Sequence, residues 1–203
     1  MWTRFLPAIA RARMMADDGA IGELRLLTAD FGFRPKWEPE GRLLNPALGG
    51  GALLDVGVYT VSFASFFLGA PTRIEALAHI GETGVDEQTS MHFKYAGGQL
   101  AQLFCAVRTE SQHVATLCGT EGKILIPDFW QAEQFTLVRA GEQPEVFREP
   151  IVGDGFCYEI QEAHRCIQEG RIESDKLPLA ETLQIMQTMD SVRDQIGLRY
   201  PWE

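Results

Sequence analysis

The chain has 203 residues, of which 45% are hydrophobic and 23% are charged, so it is long enough for one domain with a sizeable buried core. Eighteen basic against 28 acidic residues give a formal net charge of −10. The basic residues form no stripe along the chain, and an acidic protein of this kind is not expected to bind nucleic acid or an anionic membrane surface.

The four cysteines and four histidines are dispersed and lack the spacing of a metal site. We therefore expect no bound metal, and reduced thiols of the kind found in cytoplasmic proteins. The N-terminus has no charged segment followed by an apolar run, so no signal peptide is predicted. The most apolar stretch, residues 52–68, is shorter than the roughly 20 residues of a membrane span and is interpreted as a core helix.

The first third of the chain predicts a helix, a strand, a loop and a second helix. Pro7 suits a first helical turn, and the helix over residues 8–17 ends at Asp18-Gly19. Residues 23–33 are predicted to form a strand, and residues 34–51, rich in proline and glycine, a loop.

Beyond Thr72 the apolar period changes to two residues, which is typical of strands. Short strands are predicted at 73–78, 88–95, 99–108, 113–118, 123–127, 135–139 and 145–148, followed by helices at 158–169 and 178–196. This order indicates an α+β fold: an open mixed, largely antiparallel sheet with helices on one face. The other sheet face would be an apolar patch of the kind that marks an interaction surface.

Residues 49–59, with the sequence GGGALLDVGVY, form the most informative motif. Three glycines end the loop, and Asp55 and Tyr59 follow four residues apart in an otherwise apolar helix, a spacing that places both on one helical face. A buried carboxylate is costly unless it is paired. The pair is therefore either catalytic, or structural with Asp55 as a helix cap and Tyr59 anchored in the core.

Tyr59 could give or take a proton, but the motif alone is incomplete. A phenol holds its proton at neutral pH unless a nearby cation stabilises the phenolate, and a neighbouring carboxylate opposes that. A lysine or the positive charge of an oxidised cofactor would have to come from elsewhere. The chain contains no P-loop, no nucleophile elbow and no dinucleotide fingerprint GxGxxG.

Several aromatic residues lie in or beside loops and could line an apolar substrate pocket, although such residues are more often core. They are Trp2, Phe31, Phe33, Trp37, Phe129 and Trp130. Arg4 and Arg25 could contact a polar substrate or lie on the surface. The helix that begins near Tyr158 could bind an anion at its N-terminus, or simply continue the loop before it.

The motif GGGALLDVGVY resembles the hallmark of the Gfo/Idh/MocA family of NAD(P)-dependent oxidoreductases, in which a glycine cluster precedes an aspartate, a glycine and a histidine or tyrosine. Collinear segments extend the resemblance over nearly the whole chain, at 2–7, 30–32, 82–86, 119–122, 158–159 and 196–201. The most similar branch holds dimeric dihydrodiol dehydrogenases and NADP-dependent xylose dehydrogenases. Residues 1–203 resemble the family's C-terminal domain, and residues 1–18 the helix that leads into it from an absent dinucleotide-binding domain.

The resemblance implies roles for individual residues. Tyr59 would transfer the proton while hydride passes between the substrate and NAD or NADP, which the absent domain would hold. A lysine of that domain would supply the missing cation, and Asp55 would orient the substrate or the lysine. The implied substrate pocket comprises the aromatic residues Trp2, Phe31 and Trp130, with Arg4, Arg25 and Tyr158 nearby.

The expected function is thus the C-terminal catalytic and oligomerisation half of an NAD(P)-dependent oxidoreductase. Its substrate would be a diol, sugar or polyol. The chain alone is expected to be inactive and to form a homodimer through its open sheet face. The alternative is a stand-alone module that dimerises or holds a sugar-like ligand without catalysis.

Overall fold

One eight-stranded sheet, in the order β2-β3-β4-β1-β5-β6-β7-β8, organises the computed structural model, which describes residues 1–203. All neighbouring strands are antiparallel except β1 and β4, which are parallel. The predicted open mixed, largely antiparallel sheet is confirmed. The strands are β1 Leu24–Gly32, β2 Arg73–Ile80, β3 Asp86–Lys94, β4 Leu100–Ala106, β5 Ala115–Gly119, β6 Gly122–Ile126, β7 Gln134–Arg139 and β8 Glu145–Arg148.

Four α-helices accompany the sheet, and their bounds lie within a few residues of the prediction. They are α1 Pro7–Asp17, α2 Val58–Leu68, α3 Cys157–Gln168 and α4 Leu179–Ile196. Three short 3₁₀-helices were not predicted, at Trp2–Phe5, Pro46–Leu48 and Phe129–Gln131, nor was a π-helical turn at Leu53–Gly57. Such short pieces carry too few residues to show an apolar period.

The core lies between the sheet and the helices on one of its faces. Alternate strand residues point to opposite faces, so Ala101, Leu103 and Cys105 of β4 are buried while Leu100 and Gln102 are exposed. The π-helical turn and α2 pack on β1 and β4, and α4 packs on α2 and β2. This arrangement places the motif of residues 49–59 against the centre of the sheet.

Residues Pro46–Leu68 form the one helical segment of sufficient length and apolar character to cross a membrane. The segment is 23 residues long, which exceeds the apolar run expected from the sequence because the short Pro46–Leu48 helix precedes it. In the structure 61% of its most apolar window is buried inside the domain. Burial of this kind is what a core helix shows.

A buried carboxylate joins α3 to the segment that follows it. Glu162 accepts hydrogen bonds from Arg165, at 2.7 Å from Nη2, and from the hydroxyl of Ser174 at 2.5 Å, and the ammonium of Lys176 lies 3.3 Å away. The hydrogen bonds from Arg165 and then Ser174 hold the pKa of Glu162 well below its usual range. The charged form of Glu162 therefore stabilises the folded domain.

We expect Glu162→Gln to lower the melting temperature at pH 7 by roughly 2–8 °C, or about 1–2 kcal/mol, because an amide NH₂ would replace an acceptor that faces Arg165. A lowered folded-state pKa contributes stability above the unfolded value near 4.3, and this contribution is lost as the pH falls further. The difference from the wild-type chain, measured by thermal unfolding, should shrink below pH 4.

The matched control is Glu159→Gln, on the same helix and more exposed, whose carboxylate lies 3.9 Å from the N-terminal amine. It should change the melting temperature little at any pH. A difference for Glu162→Gln that is equally large at pH 3 and pH 7 would contradict the assigned role of its charge.

Candidate functional site

The motif of residues 49–59 forms a sharp turn followed by an irregular helix start. Gly51 adopts a φ of +117°, which favours glycine. Leu53–Gly57 then form a π-helical turn before α2 begins at Val58. Single π-helical turns within helices are frequent at functional sites because they widen the helix and redirect the side chains that follow.

Asp55 does not cap a helix, contrary to the structural alternative left open by the sequence. The carboxylate that accepts from the first amide of the π-helical turn, that of Leu53, belongs to Asp86 at the start of β3, at 2.8 Å. Asp55 instead forms an ion pair with Arg42 from the preceding loop. Its side chain is 15% exposed and that of Arg42 is 69% exposed, so the pair lies at the edge of the domain.

Arg42 is therefore a site residue that the sequence reasoning missed. Its guanidinium supplies a cation to Asp55, whereas the motif by itself had none. The two residues are thirteen positions apart, and the proline- and glycine-rich loop between them has no period from which contact could be inferred. The nearest sequence signal was a buried carboxylate in need of a partner.

Tyr59 is half-buried at the start of α2, where its ring meets the edge of Phe31 with ring centroids 5.5 Å apart. Tyr59 also borders a cavity of only about 10 Å³ that is lined by Thr3 and Arg4 as well. Both residues belong to the 3₁₀-helix Trp2–Phe5, so this short helix and α2 meet at Tyr59. A cavity of that size holds at most one water molecule.

An aromatic row extends from Tyr59 across the end of the sheet. Phe31, the penultimate residue of β1, is stacked on Trp130 at 5.2 Å and an interplanar angle of 17°. Trp130 meets Trp2 edge-on at 6.2 Å, and Trp2 contacts Phe156 at 4.9 Å. The structure thus brings Trp2, Phe31 and Trp130 together with Tyr59.

Several of these aromatic residues are also part of the core, which is the alternative that the sequence left open. Trp2 and Phe31 are each 8% exposed, and Phe129 is fully buried. Trp37 lies apart from the row, with the guanidinium of Arg108 4.5 Å from the centre of its ring. The row forms one wall at the surface of the core rather than a closed pocket.

His113 is a second residue of this region that the sequence did not reveal. Its ring lies 5.0 Å from Phe31, and one ring nitrogen is 2.7 Å from the carbonyl oxygen of Gly32. Its backbone has a φ of +58°, which is uncommon for a residue with a side chain. Only the pairing of β1 with β5 brings the loop before β5 to Phe31, so no local pattern could have indicated this contact.

The three remaining predicted residues have different surroundings. Arg4 is buried and forms a bidentate ion pair with Glu181 of α4, at 2.8 and 2.9 Å. The phenol of Tyr158 accepts a hydrogen bond from the amide of Val152 at 3.1 Å. Their roles in substrate binding stay predictions, although Arg4 does border the cavity beside Tyr59.

Arg25 is not brought into the aromatic row. It lies near the start of β1, six residues before Phe31, which corresponds to about 20 Å along an extended strand. Its guanidinium is exposed and pairs with Glu23 at 2.8 Å. The expected proximity of Arg25 to the other site residues is therefore wrong, because Arg25 and Phe31 lie near opposite ends of β1.

The glycine cluster does not form a phosphate cradle. A Cβ on Gly50 would come within 2.9 Å of the backbone of Arg42 and Leu43, and one on Gly51 within 2.2 Å of Asp86. The space beside these two glycines is occupied by other atoms of the chain, so no phosphate fits there. No group of three His, Cys, Asp or Glu side chains is placed to hold a metal ion.

Residues 9–125 match the profile of the GFO/IDH/MocA C-terminal domain. The chain belongs to the Gfo/Idh/MocA family. This confirms the resemblance drawn from the motif of residues 49–59. The fold, an open mixed sheet with helices on one face, is the one found in structures of other Gfo/Idh/MocA oxidoreductases.

Among curated proteins, this Gfo/Idh/MocA chain is similar to trans-1,2-dihydrobenzene-1,2-diol dehydrogenase from Mus musculus, at 35% identity over 99% of the chain and 62% of the relative. The chain thus spans less than two thirds of the length of the curated relatives it matches. The proposed branch of the family, that of the dihydrodiol dehydrogenases, is supported by this relative.

Two solved structures show the same architecture. A 3-ketoreductase from Actinomadura kijaniata, in complex with NADP and TDP-benzene, has a TM-score of 0.79 and 25% identity, covering 96% of this chain and 61% of its own. A levoglucosan dehydrogenase in complex with NADH and levoglucosan has a TM-score of 0.82 and 18% identity, covering 97% of this chain and 62% of its own. The second likeness concerns the fold alone.

Proposed function

We propose that this chain is the substrate-binding and proton-transfer part of an NAD(P)-dependent oxidoreductase that acts on a diol, sugar or related polyol. The single observation that carries the proposal is the placement of Tyr59 at one end of the aromatic row, four residues after the Asp55 that pairs with Arg42, in a member of the Gfo/Idh/MocA family. The relatives named as diol dehydrogenases support the substrate class.

Tyr59 is the proposed proton-transfer residue. When a nicotinamide is bound, it supplies the hydride acceptor or donor for the carbinol carbon. In oxidation the Tyr59 phenolate, stabilised by a cation such as a lysine from outside these 203 residues, would accept the hydroxyl proton of the substrate, and in reduction the Tyr59 phenol would donate that proton back, which keeps the proton balance of the reaction. Tyr59 is partly exposed, which is consistent with a substrate that binds at the domain surface.

Arg42 has a proposed electrostatic role beside Tyr59. An unpaired Asp55 carboxylate would oppose formation of a phenolate nearby, and the ion pair with Arg42 reduces that opposition. Asp55 keeps further acceptor positions with which to orient a substrate hydroxyl or a lysine.

The aromatic row is the proposed wall of the substrate pocket. The partly exposed Trp130 ring, backed by the Phe31 ring stacked on it, would offer an apolar surface that suits the face of a ring or the carbon side of a sugar. The indole nitrogen of Trp130 is buried and has no acceptor within the chain.

The proposed cofactor is NAD or NADP, held mainly by residues outside these 203. The support is that the glycines of the motif contact the chain's own backbone and Asp86 instead of forming an open cradle. A cytoplasmic location is also proposed, supported by the four unpaired cysteines.

We further propose a homodimer formed through the sheet face that carries no helices. Apolar side chains remain on that face: Leu77 is 80% exposed, and Leu100 and Val146 are each about half exposed. Leu26, Phe104 and Leu125 lie half-buried between them. A second copy related by a two-fold axis would cover this surface.

Tyr59→Phe should lower turnover by about 10²- to 10⁴-fold, because it removes the oxygen that moves the proton. The assay follows NADPH or NADH absorbance with a trans-dihydrodiol or an aldose, in the protein encoded by the complete reading frame. The control is Tyr95→Phe, which removes a buried hydroxyl without a partner and should leave turnover unchanged. Turnover within twofold of the wild type for Tyr59→Phe would exclude the proposed role and favour a binding module without catalysis.

Isothermal titration of the 203-residue chain with NADP and NAD should show no binding tighter than about 1 mM, because its glycine turn offers no phosphate site. The same titration on the protein encoded by the complete reading frame serves as the positive control. Micromolar binding by the 203-residue chain alone would contradict the proposed location of the cofactor site.

The double variant Leu100→Glu/Phe104→Glu should convert the dimer to a monomer, because it places two carboxylates on the centre of the open sheet face. Light scattering coupled to size-exclusion chromatography measures the mass. Ile172→Glu, at an apolar side chain that is 94% exposed in the segment after α3, is the control and should remain dimeric. A monomeric wild-type chain at high concentration would overturn the proposed assembly.

A further inference from the structure

Asp86 is a fully buried carboxylate whose hydrogen-bond donors are neutral groups. One of its oxygens accepts hydrogen bonds from the amide of Leu53 at 2.8 Å and from the hydroxyl of Thr89 at 2.7 Å. A charge buried without a cation costs stability. The contacts of Asp86 indicate a role that offsets this cost, and one of them, with the amide of Leu53, lies in the motif of residues 49–59.

The second carboxylate oxygen of Asp86 has no hydrogen-bond partner and packs against Gly51. A Cβ at residue 51 would lie only 2.2 Å from that oxygen, and the φ of +117° at Gly51 also requires glycine. Glycine at position 51, the last of the cluster, therefore leaves the space that the Asp86 carboxylate occupies.

Both ends of the π-helical turn rest on the same pair of strands. At its start the amide of Leu53 donates to Asp86 of β3. At its end Gly57 lies against Cys105 of β4, where a Cβ would come within 2.9 Å of the sulfur. The thiol of Cys105 in turn lies 3.8 Å from the carbonyl oxygen of Thr89. Asp55 therefore lies within a turn that is held at two points, and Tyr59 follows two residues after the end of that turn.

We propose that Asp86 is a positioning residue, whose carboxylate holds the Gly51–Leu53 turn and thereby sets the helical register that presents Asp55 and Tyr59. The inference rests on the proposed function, because the register matters for catalysis only if Asp55 and Tyr59 have the roles proposed above. The carboxylate itself acts through the backbone of Leu53 and touches neither Asp55 nor Tyr59.

Charge on Asp86 strengthens this contact at a cost in stability. Burial raises the pKa of Asp86 to about 6, against the opposing hydrogen bonds from Thr89 and Leu53. A raised folded-state pKa contributes stability below the unfolded value near 3.9, which is lost as the pH rises through 6. A carboxylate accepts a hydrogen bond more strongly than a carboxylic acid does, so the tie to Leu53 is firmest above pH 6.

The titratable groups that face Asp86 stay neutral over this range. Burial raises the pKa of the Cys105 thiol of β4 well above its usual value, with a further contribution from Asp86. Burial also raises the pKa of Tyr200, whose hydroxyl donates to the carbonyl oxygen of Gly50 at 2.8 Å, to about 12. Arg193 and Glu203, which pair with each other, lie beyond Tyr200. Between pH 5 and 7, Asp86 is thus the group that titrates here.

Hydrogen–deuterium exchange of the 203-residue chain tests the tie without any activity measurement. Asp86→Ala should raise the exchange rate of amides 52–59 by about 10- to 100-fold relative to wild type, because the acceptor of the Leu53 amide is lost. Amides of β6 and β7, which lie far along the sheet, should be unchanged. A uniform increase over the whole chain would mean that Asp86 serves only global stability, and would overturn the inference.

A milder variant covers the case in which Asp86→Ala does not fold. Thr89→Val removes the hydroxyl that orients Asp86 and should produce a smaller, equally local increase over 52–59. The matched control is Thr188→Val, which removes the hydroxyl of another buried threonine, on α4. An increase over 52–59 in the control, or none in Thr89→Val, would contradict the proposal.

Asp86→Asn separates positioning from packing, because it keeps the shape and loses the charge. Its melting temperature relative to that of the wild type should increase as the pH is raised from 4 to 7, because the wild type loses stability over this range and the uncharged variant does not. In the protein encoded by the complete reading frame, kcat above pH 7 should nevertheless fall by about 10- to 100-fold with KM within threefold, because the catalytic pair is misplaced. Unchanged kcat and unchanged exchange over 52–59 would overturn the inference.

These outcomes also distinguish the inference from the proposed function. If Tyr59→Phe leaves turnover intact while Asp86→Ala loosens residues 52–59 alone, the tie is real and the assigned chemistry is wrong. If Tyr59→Phe abolishes turnover while the Asp86 variants change neither exchange nor kcat, the chemistry stands and the positioning role is wrong.

Discussion

The pairing of β1 on both of its edges is the constraint on which the rest of the structure depends. β1 runs parallel to β4 on one side and antiparallel to β5 on the other, and so joins the β2–β4 and β5–β8 halves of the sheet. Because Phe31 lies near the end of this strand, it meets Tyr59 from α2 and Trp130 from the loop before β7. Residues a hundred positions apart become one surface through this single strand.

Much of the architecture could be predicted because it depends on local patterns. The apolar period of two located the strands, and the run of residues 145–148 coincides with β8. Periodicity carries no information on which strands pair, so the parallel contact of β1 with β4 and the place of His113 beside Phe31 were out of reach. The same holds for the π-helical turn, because its five residues read as an ordinary helix start.

The candidate site shows a similar division. Asp55 and Tyr59 were identifiable because an acid and a phenol stand out in an apolar helix. Their partners were not, since Arg42 and Asp86 approach from a loop and a separate strand. A carboxylate in an apolar segment is costly unless other groups stabilise its charge. In the structure, Asp55 is stabilised by the cation of Arg42 near the surface, and Asp86 by a backbone amide and a hydroxyl in the interior. The two carboxylates are thus stabilised in different ways, Asp55 by a cation and Asp86 by neutral hydrogen-bond donors.

The π-helical turn at Leu53–Gly57 makes the spacing of this segment more important than the identity of most of its residues. An α-helix turns by about 100° per residue, and a π-helical turn accommodates one extra residue in the wall of the helix. Loss of one residue between 53 and 57 would restore a regular helix and rotate α2 by about that angle, moving Tyr59 from Phe31 and turning buried side chains such as Val61 and Phe63 from the core. We therefore expect sequence variation in this segment to exchange side chains at unchanged length, since a single deletion would displace Tyr59 and the core together.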